Sequence, residues 1–425
     1  MPHPPLWKTF FTKSDDKRQK LPVVSANRWC NTHKYDEIGV WGLCVQGILT
    51  NFVQCKQASI PTLSSKHMRQ TRNAVLMLED GTCFSGKSFG YEAPTAGEVV
   101  FNTAMTGYPE SLTDPSYEGQ ILVTTYPILG NYGVPPETVK DDVSEFLESS
   151  RIHCRAIIAQ DYSWEPSHWL STRSLHQWLR DEKIPGLYGI DTRALTKHLR
   201  EKGSMLGKIY FESPDEVDFD DPNAENLIAK VSCREPEVHG EGGRTVVLVD
   251  CGTKFNIIRC LTRRGVKVVR VPWDYDFNQI PFDGLFISNG PGNPDFATVT
   301  VENIRKAMAT CKPICGICMG NQLLAKAAGA TTYKLKYGHR SHNQPVRMVG
   351  TDTCYVTSQN HGYAVDGSAL GEDWEPLFVN MNDGTNEGIR HKSLPFFSAQ
   401  FHPEASSGPR DTEFIFDQFI DLLKK

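Results

Sequence analysis

The stretch KPICGICMGNQLLAKAAG, residues 312–329, decides the fold because it joins an apolar strand directly to a helix. The run KPICGI is typical of a strand covered on both faces, and the following helix carries Leu323 and Leu324 on one side and ends at Gly329. Around it, the apolar runs TVVLVD, VKVVRV and GLFISNG alternate with the helical patterns KFNIIRCLTRRG and VENIRKAM. This alternation predicts an α/β domain with a doubly wound, mostly parallel sheet over residues 244–425.

The same stretch contains a C-x-x-C pair, Cys315 and Cys318, which fits a redox dithiol, a metal clip or a loop presenting one nucleophile. A redox pair would place its first cysteine at the exposed helix start, whereas here the second one lies at the strand-to-helix turn. A zinc site needs further ligands, and the sequence has no second C-x-x-C and no H-x-x-x-H. Because Gly316 and Gly320 flank Cys318 as a nucleophile elbow requires, the pattern favours Cys318 as nucleophile and Cys315 as a buried strand residue.

A cysteine nucleophile needs a base, and His402 is the best candidate because it ends the apolar run FFSAQF and is followed by Pro403 and Glu404. Glu404 is suited to orient the imidazole, so the sequence predicts a Cys-His-Glu constellation at the strand ends of one sheet. The glycine-rich stretch SNGPGNP (288–294) is expected to form a turn near the elbow, and SQNHGYAV (358–365) a loop.

Residues 73–240 predict a mixed α+β domain that ends in a polar linker. NAVLMLEDGTCFSGKSFG indicates a hairpin turning at Asp80-Gly81, and DTRALTKHLREKG indicates a helix with an Asp191 N-cap and a Gly203 stop. Within the hairpin, GTCFSGKS matches the phosphate-loop pattern letter for letter. The residues that follow, FGYEAPTAG, are unsuited to the helix such a loop must open, so we interpret Lys87 as a strand residue.

Residues 1–72 differ in charge from the rest of a chain whose net charge is -5. They contain eleven Lys/Arg against four acids, and the acids are absent from 39–72, as in an organelle transit segment. The acids at 15, 16, 36 and 37 speak against a transit peptide beginning at Met1, and a disordered tail is the alternative. The overall composition gives no indication of nucleic-acid or membrane binding, and no apolar run reaches 18 residues.

Four motifs, GICMGNQ, SNGPGNP, SQNHGYAV and QFHPE, resemble in order and spacing the signatures of class I (triad) glutamine amidotransferases. The preceding LEDGT, GEVVFNTAMTGYPESLTDPSY, YGIDTRALTKHLR and GSMLGK resemble the N-terminal domain of the carbamoyl-phosphate synthetase small subunit. The resemblance implies that Cys318 forms a glutamyl thioester, with His402 as general base and acid and Glu404 behind it. It also implies an oxyanion site at the amides of Gly290 and Met319. The glutamine contacts that it implies are Ser116, Gly292, Gln322, Asn360, Gly362 and Tyr363.

The resemblance also implies a partner, a large synthetase subunit or synthetase region with ATP-grasp domains that uses ATP and Mg²⁺ to make carbamoyl phosphate from bicarbonate and the released ammonia. This chain is itself expected to hold no cofactor and no metal. A non-catalytic regulatory or scaffold subunit is the main alternative function. A free-standing hydrolase or thiol redox protein is a further one, which the N-terminal domain and Ser116 disfavour.

Asn321 is where the chain departs from most of the family, which has His at this place in the nucleophile motif. Such an Asn resembles the animal mitochondrial, urea-cycle-type synthetases. From Asn321 and residues 39–72 we expect a mitochondrial location, with the cytoplasm as the alternative. The sequence leaves open whether the product feeds arginine and urea synthesis or pyrimidine synthesis.

Overall fold

A computed structural model describes residues 71–140 and 142–424. Of the predicted N-terminal extension, 1–72, positions 1–70 lie outside the described residues. The same holds for that part of the predicted transit or disordered segment. Residues from 71 onward form one compact unit built on two large sheets. Among the described helices, none combines the length and apolar character needed to cross a bilayer.

The first sheet closes into a seven-stranded barrel in the order β1-β11-β3-β4-β8-β10-β2. Val99 and Ile121 belong to a core cluster with Leu195 of one covering helix, and Val100 to a second cluster with Trp178 of another. Both faces of the strands are therefore buried. The elements here are β1 (Asn73–Leu78), β2 (Cys83–Gly90), β3 (Thr95–Asn102), α1 (Tyr108–Thr113), β4 (Gln120–Thr124), β5 (Ile128–Leu129), β6 (Val139–Lys140), β7 (Val143–Ser144), β8 (Ala156–Ile158), β9 (Asp161–Tyr162), α2 (Leu175–Asp181), β10 (Pro185–Tyr188), α3 (Thr192–Lys202) and β11 (Met205–Tyr210).

The local predictions for this region are confirmed. β1 and β2 pair antiparallel around a turn in which Gly81 has a φ of 85°. Lys87 lies inside strand β2, so GTCFSGKS does not form a phosphate loop before a helix. The Asp191 side chain accepts a hydrogen bond from the Ala194 amide at 2.9 Å, which caps helix α3.

The second sheet has ten strands in the order β12-β14-β13-β15-β16-β21-β20-β18-β17-β19. Its centre, β14-β13-β15-β16-β21, is parallel, as predicted, and the other strands pair antiparallel. The elements are α4 (Leu227–Val231), β12 (Glu237–His239), β13 (Thr245–Asp250), α5 (Phe255–Thr262), β14 (Lys267–Pro272), β15 (Gly284–Ile287), α6 (Thr298–Met308), β16 (Ile314–Ile317), α7 (Met319–Ala327), β17 (Thr331–Met348), β18 (Cys354–Asp366), β19 (Trp374–Asn380), β20 (Asn386–His391), β21 (Phe396–Ala399) and α8 (Phe414–Leu423).

The structure differs from the sequence-based expectation at two places. Strand β12, within the expected polar linker, pairs with β14, and Ile228 of α4 packs in the same core cluster as Val249. The stretch 358–365, expected as a loop, lies inside strand β18, because its backbone pairs with the long strand β17. The polar side chains of this stretch, which predicted a loop, therefore belong to a strand.

Candidate active site

Cys318 lies at the turn between β16 and α7, at the carboxyl edge of the parallel strands. Its backbone has a φ of 54° and a ψ of -102°, a strained conformation for a residue with a side chain. A Cβ on Gly316 would lie 2.4 Å from the carbonyl oxygen of Gly320, and a Cβ on Gly320 would lie 2.2 Å from that of Ile287. The flanking glycines are therefore required by close backbone contact, which is how the chain forms the elbow.

Cys315 is fully buried in strand β16, and burial raises the pKa of its thiol well above the ordinary value. It is a free thiol and pairs in register with Phe286 and Phe397 of the adjacent strands. A buried, neutral thiol within a parallel sheet is poorly suited to redox exchange. The geometry therefore separates the two cysteines of the C-x-x-C pair.

His402 and Glu404 follow strand β21, which pairs with β16, the strand that leads into Cys318. The Nδ1 atom of His402 lies 2.6 Å from Oε1 of Glu404, and both residues are buried. Burial alone lowers the pKa of His402, but the Glu404 charge and the interaction with Cys318 outweigh it and raise the pKa to about 10. His402 is therefore an imidazolium at neutral pH, next to the Cys318 side chain.

Lys254, which sequence reasoning missed, holds Glu404 from the other side. Its Nζ atom lies 3.2 Å from Oε1 of Glu404 and donates to the carbonyl oxygen of Ala405 at 2.5 Å. Burial alone raises the pKa of Glu404, but Lys254 and His402 together lower it to about 2. A usable signal was present, since Lys254 follows strand β13 at the edge where parallel strands place their functional residues.

One pocket beside the elbow is lined by Cys318 and by every residue predicted to contact glutamine. Its empty volume, including the open mouth, is about 400 Å³. His402 lies outside this lining and borders a neighbouring polar cavity, which shares Asn360 with the pocket. The predicted pocket residues are Ser116, Gly290, Gly292, Met319, Gln322, Asn360, Gly362 and Tyr363.

The pocket offers unused hydrogen-bonding groups close to the nucleophile. The Sγ atom of Cys318 lies 3.6 Å from the carbonyl oxygen of Asn360. Gln322 donates from Nε2 to the carbonyl oxygen of Tyr363 at 2.9 Å, and its buried Oε1 has no hydrogen-bond partner in the part of the chain that the structure describes. Within the described residues, the amides of Gly290 and Met319 donate to no protein acceptor, so both are available to an oxyanion.

Asp114, also missed from the sequence, ties the barrel to the site. Its side chain accepts from the Ser116 amide at 2.9 Å and from Nδ2 of Asn360 at 2.9 Å. Asn289 donates from Nδ2 to the Ser116 hydroxyl at 2.9 Å. These buried contacts explain how a residue of the barrel, Ser116, comes to line a pocket of the second sheet.

A group of possible metal ligands lies elsewhere in the second sheet. His339, His361 and Glu387 are buried and bring one ligand atom each within 4.8 Å of the others. His339 also lies 2.8 Å from Asp383, and although burial lowers its pKa, the two carboxylates outweigh that and raise it. His339 thus lies between two carboxylates, Asp383 and Glu387.

Asn321 is buried under the site rather than in it. It donates from Nδ2 to Oε1 of Gln400 at 2.8 Å and accepts from the Ser398 hydroxyl at 2.7 Å. Ser398 lies on strand β21 and Gln400 directly after it, four and two residues before His402, respectively. The Asn that departs from the common family motif therefore connects helix α7 to the segment that carries the base.

We expect Asn321→Ala to destabilise the protein by about 1–3 kcal/mol, because it leaves buried partners on Ser398 and Gln400 without their hydrogen bonds. Urea unfolding followed by circular dichroism measures this change. Asn382→Ala is the matched control. That exposed asparagine donates to Gln344 at the surface, so its replacement should reduce stability far less. Equal stability of the two variants would contradict a connecting role for Asn321.

Two family models match the chain. The model described as "Carbamoyl-phosphate synthase small chain, CPSase domain" matches residues 76–209, and that described as "Glutamine amidotransferase class-I" matches residues 247–422. The two matches correspond to the barrel and to the ten-stranded sheet. Each sequence-predicted resemblance is thereby confirmed at the level of the family.

Three curated relatives show the same similarity over most of the chain. The human protein "Carbamoyl-phosphate synthase (ammonia), mitochondrial" is 51% identical over 84% of this chain, and "Multifunctional protein CAD" of Squalus acanthias is 52% identical over 83%. "Multifunctional protein pyrABCN" of Emericella nidulans is 48% identical over 86%. The chain spans only 24%, 16% and 18% of these relatives, respectively.

Proposed function

The chain belongs to the carbamoyl-phosphate synthase small-chain family through residues 76–209 and to the class I glutamine amidotransferases through residues 247–422, and from this premise we propose that it hydrolyses L-glutamine to glutamate and ammonia. One observation carries the proposal. Cys318, on a strained elbow, lies beside the His402–Glu404 pair and also lines the pocket that gathers the expected glutamine contacts. A non-catalytic scaffold has no physical need for this combination.

In the proposed reaction, the Cys318 thiolate attacks the side-chain amide carbon of glutamine. The amide oxygen takes up negative charge against the free amides of Gly290 and Met319. His402, already protonated, gives its proton to the amide nitrogen, which leaves as ammonia and leaves a glutamyl thioester on Cys318. His402 then takes a proton from water, which attacks the thioester and releases glutamate.

We further propose that the ammonia passes to a synthetase partner that uses ATP and Mg²⁺ to form carbamoyl phosphate from bicarbonate. The proposal is supported by the small-chain match and by relatives that are several times longer and bear synthase or multifunctional names. The partner is then either a separate large subunit or the remainder of a longer polypeptide.

For location, we propose the mitochondrion, on the basis of the basic segment 39–72 and Asn321, and in line with one relative whose name includes that compartment. The names of the two multifunctional relatives do not mention a compartment. Fusing residues 1–72 to a fluorescent protein tests this proposal. Diffuse cytoplasmic fluorescence of the fusion would contradict it.

The function is tested by supplying the full chain and a carbamoyl-phosphate synthetase large subunit with glutamine labelled by ¹⁵N in the side-chain amide. We expect ¹⁵N to enter carbamoyl phosphate even in the presence of excess unlabelled ammonium, because the ammonia is passed on directly. Label diluted into the ammonium pool would indicate hydrolysis without transfer. An absence of both glutamate and labelled product would support the scaffold alternative instead.

A further inference from the structure

The expected glutamine contacts leave one part of the substrate without a counter-charge. Ser116, Gln322 and Asn360 contribute hydroxyl and amide groups, and the glycines contribute backbone, so none of the eight predicted residues carries a full charge. Glutamine carries an α-carboxylate, and burying an unpaired carboxylate is costly. The predicted set therefore contains no cation to pair with the α-carboxylate of the substrate.

Arg340 is a cation in the right place. It lies on strand β17, is 5% exposed, and lines the same pocket as Cys318. Its Nη1 atom donates to the carbonyl oxygen of Tyr337 at 2.8 Å, but its buried Nε has no partner among the described residues. A guanidinium has five N–H donors, so most of its capacity remains unused.

The position of the guanidinium relative to the pocket wall supports a ligand role. A Cβ placed on Gly362, one of the predicted glutamine contacts, would lie 3.3 Å from Nη2 of Arg340. Burial lowers the pKa of Arg340, and the nearby carboxylate of Glu98 offsets only part of that effect. Glu98 is already held by Lys334 at 2.7 Å and Gln120 at 2.8 Å.

Lys334, the other cation in the lining, therefore has its partner, whereas no carboxylate of the described chain forms an ion pair with Arg340. We propose that Arg340 binds the α-carboxylate of glutamine and so makes the pocket select α-amino acids over simple amides. This inference rests on the proposed glutaminase function and adds a specificity-determining residue to it.

The test compares L-glutamine with 4-aminobutanamide, which is the same molecule without the α-carboxylate. Calorimetry in the non-hydrolysing Cys318→Ser background measures binding, and ammonia release in the Cys318 background measures turnover. Arg340→Gln should weaken L-glutamine binding by about 10- to 100-fold, because a charge-assisted contact is lost, and should leave 4-aminobutanamide within about threefold. Arg340→Lys should recover part of the loss. Arg347→Gln, which changes an exposed arginine on the same strand, should cause little change.

Two outcomes with Arg340→Gln would overturn the inference. Equal weakening of both ligands by Arg340→Gln would indicate a structural role, which the melting temperature of the variant would also show. Unchanged glutamine binding in Arg340→Gln, with a hydrolysing wild type, would refute the inference alone, whereas a wild type that neither binds nor hydrolyses glutamine would refute the proposed function as well.

Discussion

Replacing Cys318 by serine should abolish glutaminase activity, with a loss of at least about 10⁴-fold, because nucleophile and base act as one unit. The serine hydroxyl fits the elbow but is neutral near pH 7, so the imidazolium at His402 has no thiolate to pair with. Glutamate release by the full chain, measured with and without a synthetase partner, gives the rate. Transfer of free ammonia by the partner should persist, because it does not pass through this thiol.

Cys315→Ser is the matched control for this change. It alters the other cysteine of the C-x-x-C pair, three residues away and on a buried strand, by the same single atom. We expect activity close to that of the wild type, with a small loss of stability from the buried hydroxyl. Loss of activity in Cys315→Ser would revive the dithiol interpretation, and equal activity of Cys318→Ser and wild type would refute the nucleophile.

The elements that local sequence patterns define were predictable. The Asp191 cap, the Asp80-Gly81 turn and the elbow at Cys318 each depend on residues within a few positions of one another, so a single stretch contains the needed information. The parallel centre of the second sheet followed from alternation of strands and helices, which is also a local pattern.

Long-range pairing was not predictable by the same means. The stretch 358–365 is polar, which predicted a loop. It is a strand because its backbone pairs with β17, and backbone hydrogen bonds do not depend on side-chain polarity. Lys254 is 150 residues from Glu404 in sequence. Arg340 lies on β17, and the side of this strand that faces the pocket is defined only by its pairing with β18. No local sequence pattern marks a single lysine or arginine as functional, so the positions of Lys254 and Arg340 at the site became evident only from the folded structure.

Replacing Glu404 by glutamine should lower kcat/KM for glutamine by about 10²-fold or more, since the orienting charge behind the base is lost. The substituted Gln side chain has the same size as that of Glu404 but offers Lys254 and His402 no negative charge. The buried Lys254 ammonium then lacks its carboxylate, which we expect to reduce stability as well. Glu413→Gln is the control, because Glu413 pairs with Arg263 and Arg264 near the protein surface.

The pH dependence distinguishes an electrostatic role of Glu404 from a merely steric one. In the wild type the pKa of His402, raised from 6.5 to about 10, keeps the imidazolium through neutral pH, so the alkaline decline of kcat/KM should occur near that value. The raised pKa stabilises the fold fully below pH 6.5, and this contribution is lost as pH rises through about 10. The Glu404 contribution, from a pKa lowered from 4.5 to about 2, is present above pH 4.5 and is lost as pH falls through about 2.

In Glu404→Gln, both the alkaline decline of activity and the alkaline loss of stability should therefore move to lower pH, because burial and Lys254 then act on His402 without an opposing carboxylate. A pH series of kcat/KM and of urea midpoints on the same two proteins measures both shifts together. If kcat/KM fell at every pH by the same factor, with an unmoved alkaline limb, Glu404 would serve only to hold the ring in place. A shifted limb in Glu413→Gln would equally contradict the assignment, since that substitution leaves the His402 environment intact.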